Sequence, residues 1–433
     1  GATLDLLGPD IPRRGVKSIT VPGMVRGWED MLNRFGSRRL ETLLQAAIEH
    51  AEYGFDSHSA YIGNTSANMN LLMENKNAAE IFLSGGKVPE LGEKVRQPAL
   101  AQTLRLIAEN GADEFYLGQT AHTIAQALQN LGGLISLDDL SNHESLWQNP
   151  ISAPFCGFRV YTMPPNSWGI TLPLQLIALE NTNITDCDPS TPEFMIRGFL
   201  ARQAAYNAVA GQVADPRIAE ASAIETLNRE IDNNLFGSEV LNQVPLESSG
   251  PDTSNIVVAD KLGNAVSLIQ SISTPYGSGI VAGDTGILLN NRMQGFTNDT
   301  TSANCVGPLK RPAHTLAPAL VLKDNNFYMS LGTPGAPGQT CTMAQFLTRV
   351  LGHGENIFSA AKAPRWSVNF KGEPIVEKVI NKKFLDALHI KNKKFQSEKV
   401  GWITFGSIKA VIAEQGELLG TSDGRRVADT LGN

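Results

Sequence analysis

The chain has 433 residues, with 36 Lys and Arg against 43 Asp and Glu, for a formal net charge of −7. That balance excludes a general nucleic-acid binder, which would show a basic excess or stripe, and a polybasic membrane-surface protein. Hydrophobic residues at 42% and charged residues at 18% build a large core and exclude a disordered chain.

The length allows two to four domains or one large α/β body. The 40 Gly and 23 Pro point to many turns and close backbone approaches. Cys156, Cys187, Cys305 and Cys341 are widely spaced and form no C-x-x-C, and no H-E-x-x-H pair occurs. Nothing therefore points to a zinc, redox or other metal site, and no cofactor is implied. No apolar run reaches the roughly 18 residues of a membrane span. The sequence starts at Gly1 without Met or a signal-like stretch, which leaves periplasmic, extracellular and cytoplasmic locations open.

In chain order, residues 1–250 read mostly helical. Leu40, Leu43, Leu44, Ala47, Ile48 and Ala51 recur at helical spacing across 38–55, with Gly54 as a stop signal. The same period predicts helices over 97–110 and 119–131. Residues 155–163 read as one strand, ended by Pro164-Pro165-Asn166. Helices follow near 170–181 and across 191–210. Residues 244–254 carry no apolar period and hold Pro245, Gly250 and Pro251, an exposed loop. Strands are predicted at 255–260 and 264–272, joined by Lys261-Leu262-Gly263. Others fall at 286–290, 317–323 and 326–331. Residues 341–352 return to helix, and 402–414 with 417–420 read as a final hairpin around Gln415-Gly416. Strands that meander under helices indicate layered α+β with antiparallel sheets.

The junction at Asp252-Thr253 is the informative feature, because a polar loop gives way to a strand within two residues. An arbitrary Thr there is a turn residue before a strand. Three distant stretches add chemistry. Ser271 to Gly279 closes the second of these strands with hydroxyls, and Gly332-Thr333-Pro334-Gly335-Ala336-Pro337-Gly338 is a glycine-rich turn between strand and helix. Lys310-Arg311-Pro312-Ala313-His314-Thr315 supplies a basic edge ahead of another strand. The turn is not a phosphate loop, since it lacks the Lys-Ser/Thr ending of that motif.

With these residues in view, the sequence resembles the γ-glutamyltranspeptidases and their acylase relatives, which are N-terminal-nucleophile hydrolases. The resemblance covers nearly the whole chain. It rests on Val21-Pro22-Gly23-Met24-Val25-Arg26-Gly27-Trp28, Met163-Pro164-Pro165-Asn166-Ser167-Trp168-Gly169, Asp252-Thr253 and Asp260 to Ser267. It continues through Gly277-Ser278-Gly279, Gly286 to Asn291, Lys310-Arg311-Pro312, Gly332-Thr333-Pro334-Gly335, Ala363-Pro364-Arg365 and Ser422-Asp423-Gly424-Arg425-Arg426. Each is weak alone; their common order is a strong signal.

The resemblance implies an α+β fold, a four-layer αββα sandwich of two stacked antiparallel sheets covered by helices. It implies self-cleavage between Asp252 and Thr253 into a mostly helical chain, 1–252, and a strand-rich catalytic chain, 253–433, that stay associated as one αββα body. The new N-terminal Thr253 would be the nucleophile. Its α-amine, with an ordinary pKa of about 8, can take the hydroxyl proton without a histidine. Ser271 takes the place of a hydroxyl residue that bonds the nucleophile. The backbone N–H groups of Gly335 and Ala336 match the family's oxyanion hole. Ala336-Pro337 departs from the usual Gly there, and Pro337 cannot donate.

Further departures bear on substrate. The transpeptidases hold a glutamyl α-amine with an Asn and with acidic residues after the Asn-Asn pair. The matching positions here are Ser273 and Gly295, and Arg292 replaces a neutral or acidic residue. A reversed contact at about 4 Å and an effective dielectric near 20 is worth on the order of several kcal/mol. The family's Ser-Ser pair for the α-carboxylate is His314-Thr315 here. Arg292, His314, Thr315 and Gly338-Gln339 look more like the glutaryl-cephalosporin acylase and transpeptidase-like branch. A structural ion-pair role for Arg292 is the competing reading. The resemblance also implies a segment before Gly1 with an Arg that grips the substrate carboxylate.

The function expected from these residues is a self-processing amidohydrolase that cleaves γ-glutamyl or glutaryl-like amides through an acyl-enzyme on Thr253. Its partners would be a small-molecule amide and a water or amino-acid acceptor. The alternatives are a glutathione-handling γ-glutamyltransferase and a non-catalytic relative with a binding role.

Overall fold

Apolar residues at helical spacing build the first half of the computed structural model, which describes residues 1–219, 253–369, 372–378, 381–390 and 393–432. The chain forms two units, residues 1–147 with 272–298 and 306–310, and residues 148–271 with 299–305 and 311–433.

The first unit is helical. The helices that build its main core are α1 (Met24–Phe35), α2 (Leu40–Tyr53), α3 (Pro98–Asn110), α4 (Ala112–Tyr116), α5 (Gln119–Asn130) and α6 (Leu137–Ser141). Leu44, Ile48, Ile107, Phe115, Tyr116, Ile124, Leu128 and Leu140 point inward and share a core with Ala282 and Leu289. Ser136 and Asp139 form a reciprocal capping box that starts α6. The Asn290-Asn291 pair works here as a structural tie. Asn290 Nδ2 donates to Thr20 O at 2.9 Å, and Asn291 Nδ2 donates to Arg13 O at 2.7 Å and to Thr274 Oγ1 at 2.8 Å.

The second unit holds a six-stranded antiparallel sheet. Its strands are β1 (Ile151–Phe155), β2 (Phe158–Thr162), β5 (Ala319–Lys323), β6 (Asn326–Gly332), β7 (Lys409–Glu414) and β8 (Glu417–Ser422), in the order β8-β7-β6-β5-β2-β1. The two strands between β2 and β5 in sequence, β3 (Thr253–Ala259) and β4 (Ala265–Ser271), among the described residues pair only with each other, as a separate ribbon. One face of the large sheet buries Val160, Val321, Met329, Leu331, Ala410 and Ile412 against helices α7 (Thr171–Asn181), α8 (Pro192–Ala208) and α9 (Gln339–Leu347). The period-2 alternation sends Lys409, Val411 and Ser330 to the opposite face. That face carries the ribbon, so among the described residues of this unit the sheet lies between helices and a second, two-stranded antiparallel sheet, as layered α+β requires. Helix α7 is buried on most sides, with Leu172, Leu174, Leu176 and Leu179 and also the polar Thr171 and Gln175 inside.

Some boundaries differ from expectation. The single strand expected over 155–163 is the hairpin β1–β2, turned at Cys156-Gly157 with Cys156 at φ 49°. The strand expected at 286–290 does not form. Leu288 makes only an isolated bridge to Val281, and the backbone folds back through Leu289 N to Ile280 O at 3.0 Å. In the expected loop 244–254, Thr253 and Ser254 already belong to β3, while residues 244–252 lie outside the described residues. The hairpin expected from 402 begins at Lys409, after a 3₁₀ turn at Ile403–Phe405.

Candidate functional site

Thr253 is the first residue of β3, and its antiparallel partner across the ribbon is Ser271. Side chains at directly opposed positions emerge on the same face, and Thr253 Oγ1 donates to Ser271 Oγ at 3.2 Å. Thr253, Asn255 and Val257 are half-buried, whereas Ser254, Ile256 and Val258 are exposed. Two hydroxyls hang the ribbon on β6. Ser267 Oγ donates to Leu331 O and Ser330 Oγ donates to Val266 O, both at 2.8 Å. Gly332 leaves room for the Asn255 amide, since a Cβ at 332 would collide with it. Asp252, the other residue of the expected cut, lies outside the described residues.

Strand β6 runs into the glycine-rich turn. Gly335 has φ 139° and caps a short 3₁₀ turn, Ala336–Gly338, that leads into α9. The N–H groups at the start of such a turn find no partner within it. Among the described residues, Gly335 and Ala336 donate no backbone hydrogen bond. The segment 403–407 packs behind the turn. A Cβ on Gly338 would lie 1.9 Å from Thr404 O, and one on Gly335 would lie 3.1 Å from Gly406 Cα. Tyr206 on α8 donates to Pro337 O at 2.9 Å, stacked between Trp168 and the Arg202 guanidinium. Pro337 therefore serves as an acceptor, which needs no N–H.

A buried ion cluster anchors that segment. Arg365 reaches Phe405 O and Asp423 Oδ2, both at 2.7 Å, and Arg425 forks onto Glu377 at 2.6 and 2.7 Å. The Asp423 side chain is 0% exposed and that of Arg365 3%, so the pair is desolvated as well as bonded. Burial alone would raise the Asp423 carboxyl, but Arg365 and the Arg425 N–H hold it below the ordinary value. Arg426 donates to Ile403 O at 3.0 Å, and burial lowers its guanidinium to about 10. Burial likewise lowers the Lys409 ammonium to about 8, with Asp423 pulling it up and Arg426 and Arg365 pushing it down.

His314 and Thr315 are half-buried in the same unit. Trp168 N donates to His314 O at 2.8 Å, His314 N donates to Asn166 O at 3.0 Å, and Asn166 Nδ2 donates to Pro312 O at 2.6 Å. Two motifs far apart in sequence are thus zipped together. Asp215, with a fully buried side chain, accepts from Arg311 N at 2.7 Å beside them.

Ser273, Arg292 and Gly295 belong to the first unit. Ser273 has φ 89°, and its hydroxyl accepts from Gln294 Nε2 at 2.8 Å. Arg292 and Gly295 bound one 3₁₀ turn. Arg292 N donates to Asn290 Oδ1 at 2.9 Å, and burial lowers its guanidinium to about 10. Within the units, then, the structure joins Thr253 to Ser271, sets Gly335 beside Ala336, and places Ser273 and Gly295 around Gln294.

Sequence reasoning assigned no role to Gln294, Asn255, Gly406 or Ser407. No local pattern marks them, because each acts on a residue distant in the chain. Among the described residues, no helix is long and apolar enough to cross a membrane.

The model of the gamma-glutamyltranspeptidase family matches residues 4–432. The glutathione hydrolase-like YwrD proenzyme of Bacillus subtilis is 37% identical over 82% of this chain and 68% of its own length. The glutathione hydrolase proenzyme of Escherichia coli is 30% identical over 94% of this chain and 74% of its own. Among solved structures, a cephalosporin acylase from Bacillus halodurans superposes with a TM-score of 0.85 at 27% identity, covering 98% of this chain and 80% of that one. The α+β fold is therefore the N-terminal-nucleophile hydrolase fold.

Proposed function

Because the chain belongs to the gamma-glutamyltranspeptidase family, we propose that Thr253 is its nucleophile and that it splits amides of dicarboxylic acyl groups. Its class is that of the self-processing amidohydrolases and transpeptidases. The observation that carries the finer reading is the 3.2 Å hydrogen bond from Thr253 Oγ1 to Ser271 Oγ at the head of the ribbon.

Cleavage of the Asp252–Thr253 bond gives Thr253 a free α-amine. An unperturbed α-amine is about half neutral near pH 8, so a sizeable fraction can accept the Oγ1 proton. Ser271 keeps Oγ1 aimed. Oγ1 bonds to the amide carbonyl carbon, and the π electrons move onto oxygen. The resulting oxyanion is met by the N–H groups of Gly335 and Ala336. The tetrahedral centre collapses, the C–N bond breaks, and the leaving amine takes the proton from the α-ammonium. A water, or an acceptor amine, then adds to the Thr253 ester and gives its proton to the α-amine. Oγ1 departs and is reprotonated, releasing an acid or a new amide.

The residues at the substrate positions support a glutaryl-like acyl group. In the first unit, Ser273 and Gly295 offer no negative charge to an α-ammonium and Arg292 is a residue type that suits a carboxylate; in the second, His314 and Thr315 are types that suit one as well. The names of the two curated relatives favour glutathione as a second reading. After cleavage the two chains stay together, because β2 from the first pairs along its length with β5 from the second.

Intact-mass analysis of the wild type and Thr253→Ala tests the mechanism. Two fragments meeting at Asp252/Thr253 in the wild type and one chain in the variant are expected. One chain in both overturns the self-processing nucleophile. A panel of glutaryl and γ-glutamyl anilides then tests the acyl preference. Faster turnover of glutaryl is expected, and faster γ-glutamyl turnover raised by amino-acid acceptors favours the glutathione reading.

A further inference from the structure

Thr333 sits between strand β6 and the glycine turn, and it is 0% exposed. Its hydroxyl donates to Pro334 O at 2.6 Å and accepts from Ser407 N at 2.9 Å. That bond acts on a peptide plane. In a trans peptide the carbonyl oxygen and the next N–H lie in one plane and point in opposite directions. Fixing Pro334 O therefore fixes the direction of the Gly335 N–H.

The surroundings leave this plane little room. A Cβ on Gly406 would lie 2.4 Å from Thr333 Oγ1 and 2.8 Å from Pro334 O. Gly406 has φ 65°, a conformation glycine adopts without strain, and its bare Cα closes the back of the turn. Ser407 is itself held from two sides. Its hydroxyl donates to Asp423 O at 3.1 Å, and Lys409 Nζ donates to Ser407 Oγ at 2.9 Å and to Ser407 O at 3.1 Å. A strut thus runs from Lys409 through Ser407 and Thr333 to the Pro334–Gly335 peptide.

We propose that Thr333 is a positioning residue that aims the Gly335 N–H at the developing oxyanion, with Ser407 and Lys409 bracing it from behind. This rests on the reading of Gly335 as an oxyanion donor. Thr333 touches no reacting atom. Its effect is on the transition state, so it belongs to kcat and leaves ground-state binding alone.

The test is a graded series at position 333: Thr333→Ser keeps a strong donor, Thr333→Cys a weak one, and Thr333→Val keeps the shape with none. Each variant is confirmed as two chains by mass, then assayed with whichever anilide, glutaryl or γ-glutamyl, turns over faster. The matching thioamide is assayed in parallel, because sulfur is a poor acceptor and reports the oxyanion contact. For Thr333→Val, kcat is expected to fall by about 10²-fold and the amide-to-thioamide ratio by about tenfold, with KM within about twofold. Thr333→Ser should stay near wild type, with Thr333→Cys between. Should Thr333→Val fail to fold or to cut, Thr333→Cys carries the comparison. A wild type that shows no preference for amide beyond that of uncatalysed hydrolysis overturns the oxyanion reading. A wild type that shows it, with donor-poor variants keeping both kcat and the ratio, overturns the role of Thr333 alone.

Discussion

Thr253 and Ser271 face each other as the outermost pair of a seven-residue ribbon, and the hydroxyl of one donates to the hydroxyl of the other at 3.2 Å. Ser271→Ala removes that acceptor and leaves Thr253 free to rotate between staggered positions. The expected result is a fall in kcat of about 10- to 100-fold, since a nucleophile no longer held in its attack geometry loses up to about 10²-fold. Stopped-flow measurement of acylation separates this from a binding defect, because KM should change little. An unchanged acylation rate would remove Ser271 from the mechanism.

The two small residues of the glycine turn should respond in opposite ways. Gly338→Ala forces a Cβ to within 1.9 Å of a backbone oxygen, which costs about 1–3 kcal/mol by overpacking and displaces the turn. Ala336 stands at φ 49°, where an L-residue pays about 1–2 kcal/mol. Ala336→Gly relieves that strain and keeps the N–H, so it should remain active and lose no stability. Urea unfolding with a parallel activity assay checks both.

The buried pair of Arg365 and Asp423 sets an acid limit. The native Asp423 carboxyl lies below its ordinary value, whereas the unfolded carboxyl titrates near 3.9. Its contribution is therefore present above the unfolded value and is lost as pH falls through the lower, native one. Asp423→Asn leaves Arg365 buried and unpaired, and it should cost about 3–5 kcal/mol at neutral pH. The variant should also lose stability less steeply in acid, measured by denaturant unfolding from pH 7 to pH 3.

Lys409 works at the other end of the scale. Its native ammonium titrates at about 8, against about 10.4 for an unfolded lysine. Between those values the unfolded chain binds the extra proton, so this group adds stability as pH rises. The gain in unfolding free energy from pH 7.5 to pH 10 should be larger in the wild type than in Lys409→Met. Equal gains would show that the ammonium is not held in a disfavoured state.

Much of this was legible in the sequence, for identifiable reasons. Helices α2, α3 and α5 repeat a strong apolar period, and Gly54 stops the first. Thr253 and the glycine turn were singled out because the common order of the motifs resembles the family's, and the catalytic roles given to them are those of the proposal. The β1–β2 hairpin was hidden because Cys156 is no turn residue, yet it takes φ 49° before Gly157. The run at 286–290 was apolar enough for a strand, but Gly286 sits too close to Leu100 N for any side chain, and turn bonds consume its backbone. The strut from Thr333 to Ser407 joins residues 74 positions apart, and no window on the sequence holds both.

Both strands of the ribbon lie on the same side of the expected cut, and all seven of their pairs are with each other. Severing the chain ahead of Thr253 thus breaks no rung of the ladder that sets Thr253 in place. On the proposed cut, an interior link becomes a terminus while keeping its cross-strand partner. The proposed reactive end would be born in register, and what maturation would alter is its charge and its freedom of approach, not its address.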